Sequence, residues 1–327
     1  MYGYAYRVKR LMMASAALTG SFGVYMPLSA QEPAPSEPTE LAPIEVSGGR
    51  NSTTAAPPLV RSKVGNALQS LPAAVSTITE EEIRTLNVDR DISNIYRRVP
   101  GVVANNIDQG DTGNGFRMRG FATNGTHGAD VAVSVDGVPQ NIPSSQGGAG
   151  HGPVFLEWLT PQMIKRVDVI KGPVSALYGD QNRAGAVNIE TLDGSDVASS
   201  IGVDVASFDG RRTNLVLGGE HEGLESLLVT DIYRTNGYRK AAQTQRDNYF
   251  WKLSKVIGDA KYSARFSHYE SDFRNDGYLN LPALRAGILS RRDTDNLYGF
   301  GNANRNTYVL NRAPVDGEAG LYYTAYY

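Results

Sequence analysis

Arg166-Val167-Asp168-Val169-Ile170-Lys171-Gly172-Pro173-Val174-Ser175-Ala176-Leu177-Tyr178-Gly179 is the stretch on which the reading of this chain turns. The residues from Ile164 to Ile170 are rich in β-branched side chains and read as a short strand. Lys171-Gly172-Pro173 ends that strand sharply, and Gly179 lets the backbone turn where a side chain would clash. Upstream, Val131 to Val135 reads as a second strand. The Asp136-Gly137 pair that follows supplies the positive φ angles of a tight hairpin. Two long loops, Asn105 to Gly115 and Asn141 to Gly152, are dense in Gly, Asn and Ser.

Further upstream the pattern becomes helical. Thr79 and Glu82 form a capping box, and Glu80 and Glu81 favour the positive end of a helix dipole. A second helix is predicted from near Asp91 and is stopped by Val99-Pro100-Gly101. Residues 72–196 therefore read as one compact mixed α+β domain. Ahead of it, residues 31–71 form a tether, because Gln31-Glu32-Pro33-Ala34-Pro35-Ser36-Glu37-Pro38 cannot pack a core. The tether holds one β-prone island, Ile44-Glu45-Val46-Ser47.

Residues 1–30 have the pattern of a secretory signal peptide. Arg7, Lys9 and Arg10 precede the apolar Leu11 to Met26, and Leu28-Ser29-Ala30 offers a cleavage point near Ala30. No other stretch approaches the roughly 20 apolar residues of a membrane helix, so any span in the exported chain is built from strands. The sequence has no cysteine, which excludes disulfides, cysteine nucleophiles and thiolate metal sites. A net charge of -2 gives no bulk electrostatic reason to expect nucleic acid as a partner.

Beyond Val197 the pattern turns to period two. Tyr262, Ala264 and Phe266 alternate with Lys261, Ser263, Arg265 and Ser267. Tyr249, Trp251 and Leu253 alternate with Lys252 and Ser254, and Ile201, Val203 and Val205 with Gly202, Asp204 and Ala206. Such segments with aromatic ends are the signature of membrane β-strands. Tight turns at His221-Glu222-Gly223 and Gly258-Asp259 alternate with long connections at Thr235 to Asp247 and Ser271 to Arg305. Barrels alternate in this way between their two sides. The short joint at Asp209-Gly210 is an exception, and a soluble β-meander with one wet face is the competing reading.

The run from Arg166 to Gly179 closely resembles the plug signature of TonB-dependent outer-membrane receptors. Gly185-Ala186-Val187-Asn188-Ile189 resembles the last plug strand of that family. Phe116-Arg117-Met118-Arg119-Gly120-Phe121 and Val133-Ser134-Val135-Asp136-Gly137-Val138-Pro139 match two further segments. Pro72 to Ile78 and Ile95 to Val102 match the opening of the plug, all in the family's order. Asp168, Lys171 and Ala184 depart from the residues usual in the family without changing the fold it implies. That fold is an α+β plug domain followed by antiparallel transmembrane β-barrel strands, residues 197–327 being the first part of an incomplete barrel of about 22 strands.

The resemblance carries the plug motif onto Arg117, Arg119, Gly120, Asp136, Gly137, Arg166, Asp168, Lys171, Gly172, Pro173, Tyr178, Gly179, Gly185 and Asn188. Arg117 and Arg119 are expected to share one face of a strand and to pair with carboxylates of the polar inner wall. Pro43, Ile44, Glu45, Val46 and Ser47 stand where the family's TonB box lies, within residues 41–47. An extended strip there can add to a sheet edge of the partner through main-chain hydrogen bonds. The implied partners are the TonB C-terminal domain with ExbB-ExbD, outer-membrane lipid and a small-molecule iron chelate.

The resemblance implies a scarce cargo too large for porins, most often a ferric siderophore, otherwise haem, cobalamin, a nickel complex or an oligosaccharide. No cofactor beyond such an iron complex is implied. Candidate contacts in the apical plug loops are Asn106, Asp108, Asp111, His127, Gln146 and His151, with aromatic platforms at Tyr238, Phe273 and Tyr278. No hydrolase triad, HExxH or Walker motif is present, so the chain is expected not to be an enzyme. The expected location is the outer membrane of a Gram-negative bacterium. An adhesin or a non-functional receptor fragment would share the strands. Only roughly 130 residues follow Asp196, enough for roughly six strands of about ten residues, and open edges are not tolerated in lipid. The chain is therefore expected not to insert as a working transporter unless the remaining strands are supplied.

Overall fold

The computed structural model describes residues 73–86, 92–106, 114–121, 130–141, 154, 156–173, 175–179, 181–315 and 320–327. All of them fall in one compact unit, Ala55–Tyr327. The signal peptide, the tether and the island at Pro43 to Ser47 lie outside the described residues.

The plug is built around a mixed sheet. Its strands are β1 (Ala74–Ile78), β4 (Val131–Val135), β5 (Val138–Pro139), β6 (Ile164–Lys171) and β7 (Gly185–Thr191). They lie in the order β1-β6-β7-β4-β5. Only β4 and β7 run parallel; the other pairs are antiparallel. Every residue of β4 is buried, which explains a near-continuous apolar run broken only by Ser134, whose hydroxyl bonds within the plug. A separate hairpin, β2 (Val102–Asn106) with β3 (Asn114–Met118), packs beside it.

Helix α1 (Glu80–Leu86) begins at the expected capping box. The Thr79 amide donates to Glu82 Oε2 at 2.9 Å and the Glu82 amide to Thr79 Oγ1 at 3.3 Å. The second helix is a 3-10 turn, Ile92–Arg98, rather than an α-helix. Its buried Ile92 and Ile95 stand three apart, the spacing that eclipses side chains on the tighter helix.

The remaining strands form one consecutive antiparallel sheet of seven. These are β8 (Ser200–Ala206), β9 (Gly210–His221), β10 (Leu224–Thr235), β11 (Thr244–Ile257), β12 (Ala260–Arg274), β13 (Phe300–Pro314) and β14 (Tyr323–Tyr326). The tight turns at Glu222-Gly223 and Gly258-Asp259 are present, and Glu222, Gly223 and Gly258 carry the positive φ they require. The long connections are shorter than the sequence suggests. Strand β11 already starts at Thr244, β12 runs to Arg274 and β13 begins at Phe300. The added end of β11 is polar on both faces, and those of β12 and β13 carry only isolated large apolar residues, Phe273 and Phe300, so alternation does not mark them.

The sheet is apolar in a band on its outward face, while its inward face mixes buried polar side chains with Val216, Leu227, Val229, Phe250 and Tyr269, which join the core of the plug. In β11, Arg246, Asn248, Lys252 and Ser254 are buried, whereas Tyr249 and Trp251 are 39 % and 47 % exposed. The outward apolar residues form a diagonal band. It is centred on Val203 in β8 and on Trp251 in β11. By register Val203 lies level with Thr213, Ile232 and then Asp247. The band thus slips four residues over three strand steps. At about 3.3 Å per residue and about 4.8 Å per strand this slope is roughly 40°, the tilt of membrane-barrel strands. Above the band the outward face is polar, at Asp247, Glu270, Asp272, Asn302 and Asn304. A soluble meander has no reason to tilt its apolar stripe by this angle.

Candidate functional site: the interface between plug and wall

The site lies where the plug rests on the inward face of β9 to β13. The tip of the β4–β5 hairpin places Asp136 (φ 49°) and Gly137 (φ 82°) in the left-handed region, as the tight turn requires. That geometry aims the Asp136 carboxylate at the wall. Arg265 Nη1 of β12 donates to its Oδ2 at 2.6 Å. At the end of β7 the Thr191 amide donates to Asp136 Oδ1 at 2.9 Å and the Thr191 hydroxyl to Oδ2 at 2.8 Å. Burial opposes ionisation of Asp136, but Lys252, Arg265 and the Thr191 bonds hold its carboxyl below the usual range.

Asp193 follows at the joint between plug and wall. It accepts from Ser254 Oγ at 2.6 Å and meets Lys252 Nζ at 3.0 Å and Lys261 Nζ at 2.8 Å. Lys252 also donates to the Thr191 carbonyl and hydroxyl, both at 3.1 Å. Burial again works against the charge, yet the two lysines and Ser254 hold the Asp193 carboxyl far below its ordinary value. Glu225 of β10 shares Lys261 at 3.3 Å.

A third group surrounds Trp158. Its Nε1 donates to Gln140 Oε1 at 3.1 Å, which also accepts from Arg305 Nη1 at 3.0 Å. The guanidinium groups of Arg265 and Arg305 lie 5.3 and 5.9 Å from the indole ring centre. Toward the external side, Arg246 pairs with Glu157 at 3.3 Å. Arg212 pairs with Asp231 at 2.5 Å within the wall itself and reaches Gln162 of the plug at 3.2 Å.

The expected polarity is therefore reversed. Arg117 lies exposed on β3, and Arg119 lies past its end with φ 54°, so the two do not share a strand face. Among the described residues neither pairs with a wall carboxylate. The plug contributes acids and the wall contributes bases. The rest of the plug motif acts within the plug. Arg166 bridges Asp168 at 3.0 Å and Glu190 at 2.7 Å, and Asp168 accepts from Thr77 Oγ1 at 2.8 Å. Asn188 accepts from Ser134 Oγ at 2.8 Å. Tyr178 is buried against Ala132, Ile170 and Ala186. Lys171 ends β6 opposite Gly185, and Pro173 follows Gly172, whose amide donates to the Ala184 carbonyl at 2.8 Å. Gly120, Gly172 and Gly179 all adopt positive φ.

Of the ligand-contact candidates, Asn106 closes β2 opposite Asn114. Asp108, Asp111, His127, Gln146 and His151 lie outside the described residues. Phe273 is not an open platform: it is buried at 9 % exposure and covers Gly301 across the strand pair. Tyr238 packs edge-on against Phe208 at 5.5 Å with Arg292 above both rings, and Tyr278 is open. Sequence reading missed Gln140, Trp158, Thr191, Asp193 and Arg305. For Lys252, Lys261 and Arg265 the signal was present in their inward parity on period-two strands.

Residues 67–186 match the family of TonB-dependent receptor plug domains. The chain belongs to the TonB-dependent receptors. It is 32 % identical over 240 residues to the ferrienterobactin receptor of Escherichia coli (strain K12), covering 69 % of this chain and 29 % of that protein. It is 31 % identical over 240 residues to the iron-regulated outer membrane virulence protein of Vibrio cholerae serotype O1, covering 71 % and 33 %. The chain spans about a third of the length of these curated relatives. Among solved structures, the fold is shared with the ferric citrate transporter FecA (TM-score 0.61, 19 % identity, 79 % of this chain and 40 % of that one). It is also shared with the ferric enterobactin receptor PfeA from Pseudomonas aeruginosa (TM-score 0.52, 20 % identity, 78 % and 40 %).

Proposed function

We propose that this chain serves energised uptake of an anionic ferric siderophore across the outer membrane, with the plug as its gate. The observation that carries the reading is a plug whose acids are seated on the basic inner face of a tilted, outwardly apolar wall. Such a seat closes a pore yet is made of discrete charge pairs that can be broken and remade. Curated relatives named for ferric enterobactin support the cargo class. In this reading TonB binds the strip Pro43-Ile44-Glu45-Val46-Ser47 by strand addition and pulls on the plug. The protein works without chemistry of its own, as a receptor rather than an enzyme.

Deleting the gene at its locus is expected to abolish uptake of radio-iron ferric enterobactin, and unchanged uptake overturns the cargo assignment. Removing Ile44 to Ser47 alone is expected to leave cell-surface binding of the same chelate intact while uptake falls to background. An adhesin would keep its activity after that deletion, so the two measurements on one strain separate the readings.

A further inference from the structure

Three external connections meet above the wall: residues 207–209 between β8 and β9, 236–243 between β10 and β11, and 275–299 between β12 and β13. The last of these has one short helix, Leu281–Arg285, with no buried residue, so it carries no core of its own. Arg239 of the second connection holds it in shape. Its Nε donates to the Asp293 carbonyl at 3.0 Å, Nη1 to the Gly277 carbonyl at 2.7 Å and Nη2 to the Asp276 carbonyl at 2.9 Å. Nη1 also lies 2.9 Å from the Asp276 carboxylate, whose side chain is 6 % exposed. One guanidinium therefore ties together both ends of the longest connection. Beside it the Lys240 amide donates to the Arg292 carbonyl at 2.8 Å, and Lys240 Nζ meets Asp293 Oδ1 at 2.7 Å. Only a planar fork reaches three carbonyls at once; lysine presents a single nitrogen.

The first connection is joined to the same frame. The Asn236 amide donates to the Phe208 carbonyl at 2.9 Å. Phe208 and Asp209 stand at φ 61° and 57°, the two left-handed positions of a tight hairpin that asparagine and glycine ordinarily fill. A phenylalanine there is strained, and such strain persists where the conformation is itself useful. The ring it places meets Tyr238 edge-on at 5.5 Å and the Arg292 guanidinium at 5.0 Å. Each connection thus supplies one member of a single cluster. From this frame Tyr238 keeps nearly half of its surface open, and Tyr278, next to the Gly277 that Arg239 holds, keeps more.

Building on the uptake reading, we propose that Arg239 is a positioning residue for cargo capture. It sets the three connections as one block before the chelate arrives, and the block keeps its internal arrangement through binding and uptake. The chelate then meets Tyr238 and Tyr278 already in place, without the ordering cost that a free loop would add. Any movement at this side of the mouth is a movement of the whole block.

The test keeps the gene at its locus and uses ferric enterobactin as probe. The sequence has no cysteine, so Lys240→Cys with Asp293→Cys can be bridged on intact cells by a short reducible reagent. Bridged cells are expected to take up the chelate at the unbridged rate; uptake lost on bridging and regained on reduction overturns the fixed block. Arg239→Gln is expected to weaken surface binding by about fivefold or more, with maximal uptake per surface copy unchanged. Unaltered affinity, or a fall in maximal uptake alone, overturns the positioning role. If Arg239→Gln does not reach the surface, Arg239→Lys takes its place: it keeps the charge beside Asp276 without the fork, and unaltered affinity there overturns the proposal. Order in the block is also read without cargo, by trypsin added to cells. Cleavage at the exposed Arg285 and Arg291 is expected to be several-fold faster in the Arg239 variant, and equal rates overturn the block. Wild-type cells that bind no ferric enterobactin would instead sink the cargo assignment and leave the trypsin result to decide the block.

Discussion

Replacing Asp193 with alanine is expected to unseat the plug. The side chain is 6 % exposed and is shared by Lys252, Lys261 and Ser254. Removing it leaves Lys252, itself 8 % exposed, beside a hole with no carboxylate. Breaking a buried pair from one side costs about 3–5 kcal/mol, because the surviving charge stays desolvated. Lys252 also carries the Thr191 carbonyl and hydroxyl, so the end of β7 loses its hold on β11. Increased entry of large antibiotics into cells making Asp193→Ala is the measurement, and an unchanged permeability barrier sinks the expectation. The pH dependence has a definite sign. The folded carboxyl titrates well below its unfolded value of about 3.9. Its contribution is therefore complete above about pH 4 and is lost only as pH falls further, through the folded value.

This anchor shows where sequence reading stops. Several strands, the first helix cap and the tight turns were legible because each has a local cause: alternation in Tyr249 to Ser254, positive φ at Asp136-Gly137, and capping at Thr79. The tilt was also present, in the drift of apolar residues from Val203 to Trp251, but it emerges only once the register is known. The charge pairs were not legible. Asp193 and Lys261 are joined across 68 positions, and nothing local to either residue names the other. Arg117 and Arg119 illustrate the opposite error. Alternate positions suggested one face, but β3 ends at Met118 and the chain turns through Arg119 at φ 54°. Strand ends depend on what the backbone bonds to next, and there the Arg119 amide donates to the Gly101 carbonyl at 2.7 Å. Family resemblance located the plug but not its contacts with the wall, because those depend on which strand faces which loop.

The second large effect is expected at Gly185, in the middle of the plug motif. Its φ of 149° lies in a region that side-chain-bearing residues rarely enter. A Cβ there would strike the Ile170 carbonyl oxygen, approach Met118 Sδ at 2.6 Å and the Gly172 amide nitrogen at 3.0 Å. Two of those three neighbours are backbone atoms of β6 and its terminal turn, so the clash cannot be relieved by a rotamer change. Met118 is fully buried and has little room to yield. Gly185→Ala is therefore expected to destabilise the plug by about 2–4 kcal/mol, combining strained φ with forced separation of β6 from β7. Gly179→Ala provides the contrast: its φ is also positive, but nothing lies within 4 Å of a Cβ at that position. That variant is expected to cost about 1 kcal/mol, from backbone strain alone. Protease accessibility of the plug in outer-membrane preparations would rank the two. Equal accessibility would show that the contact with Ile170 and Met118 is not what reserves position 185 for glycine.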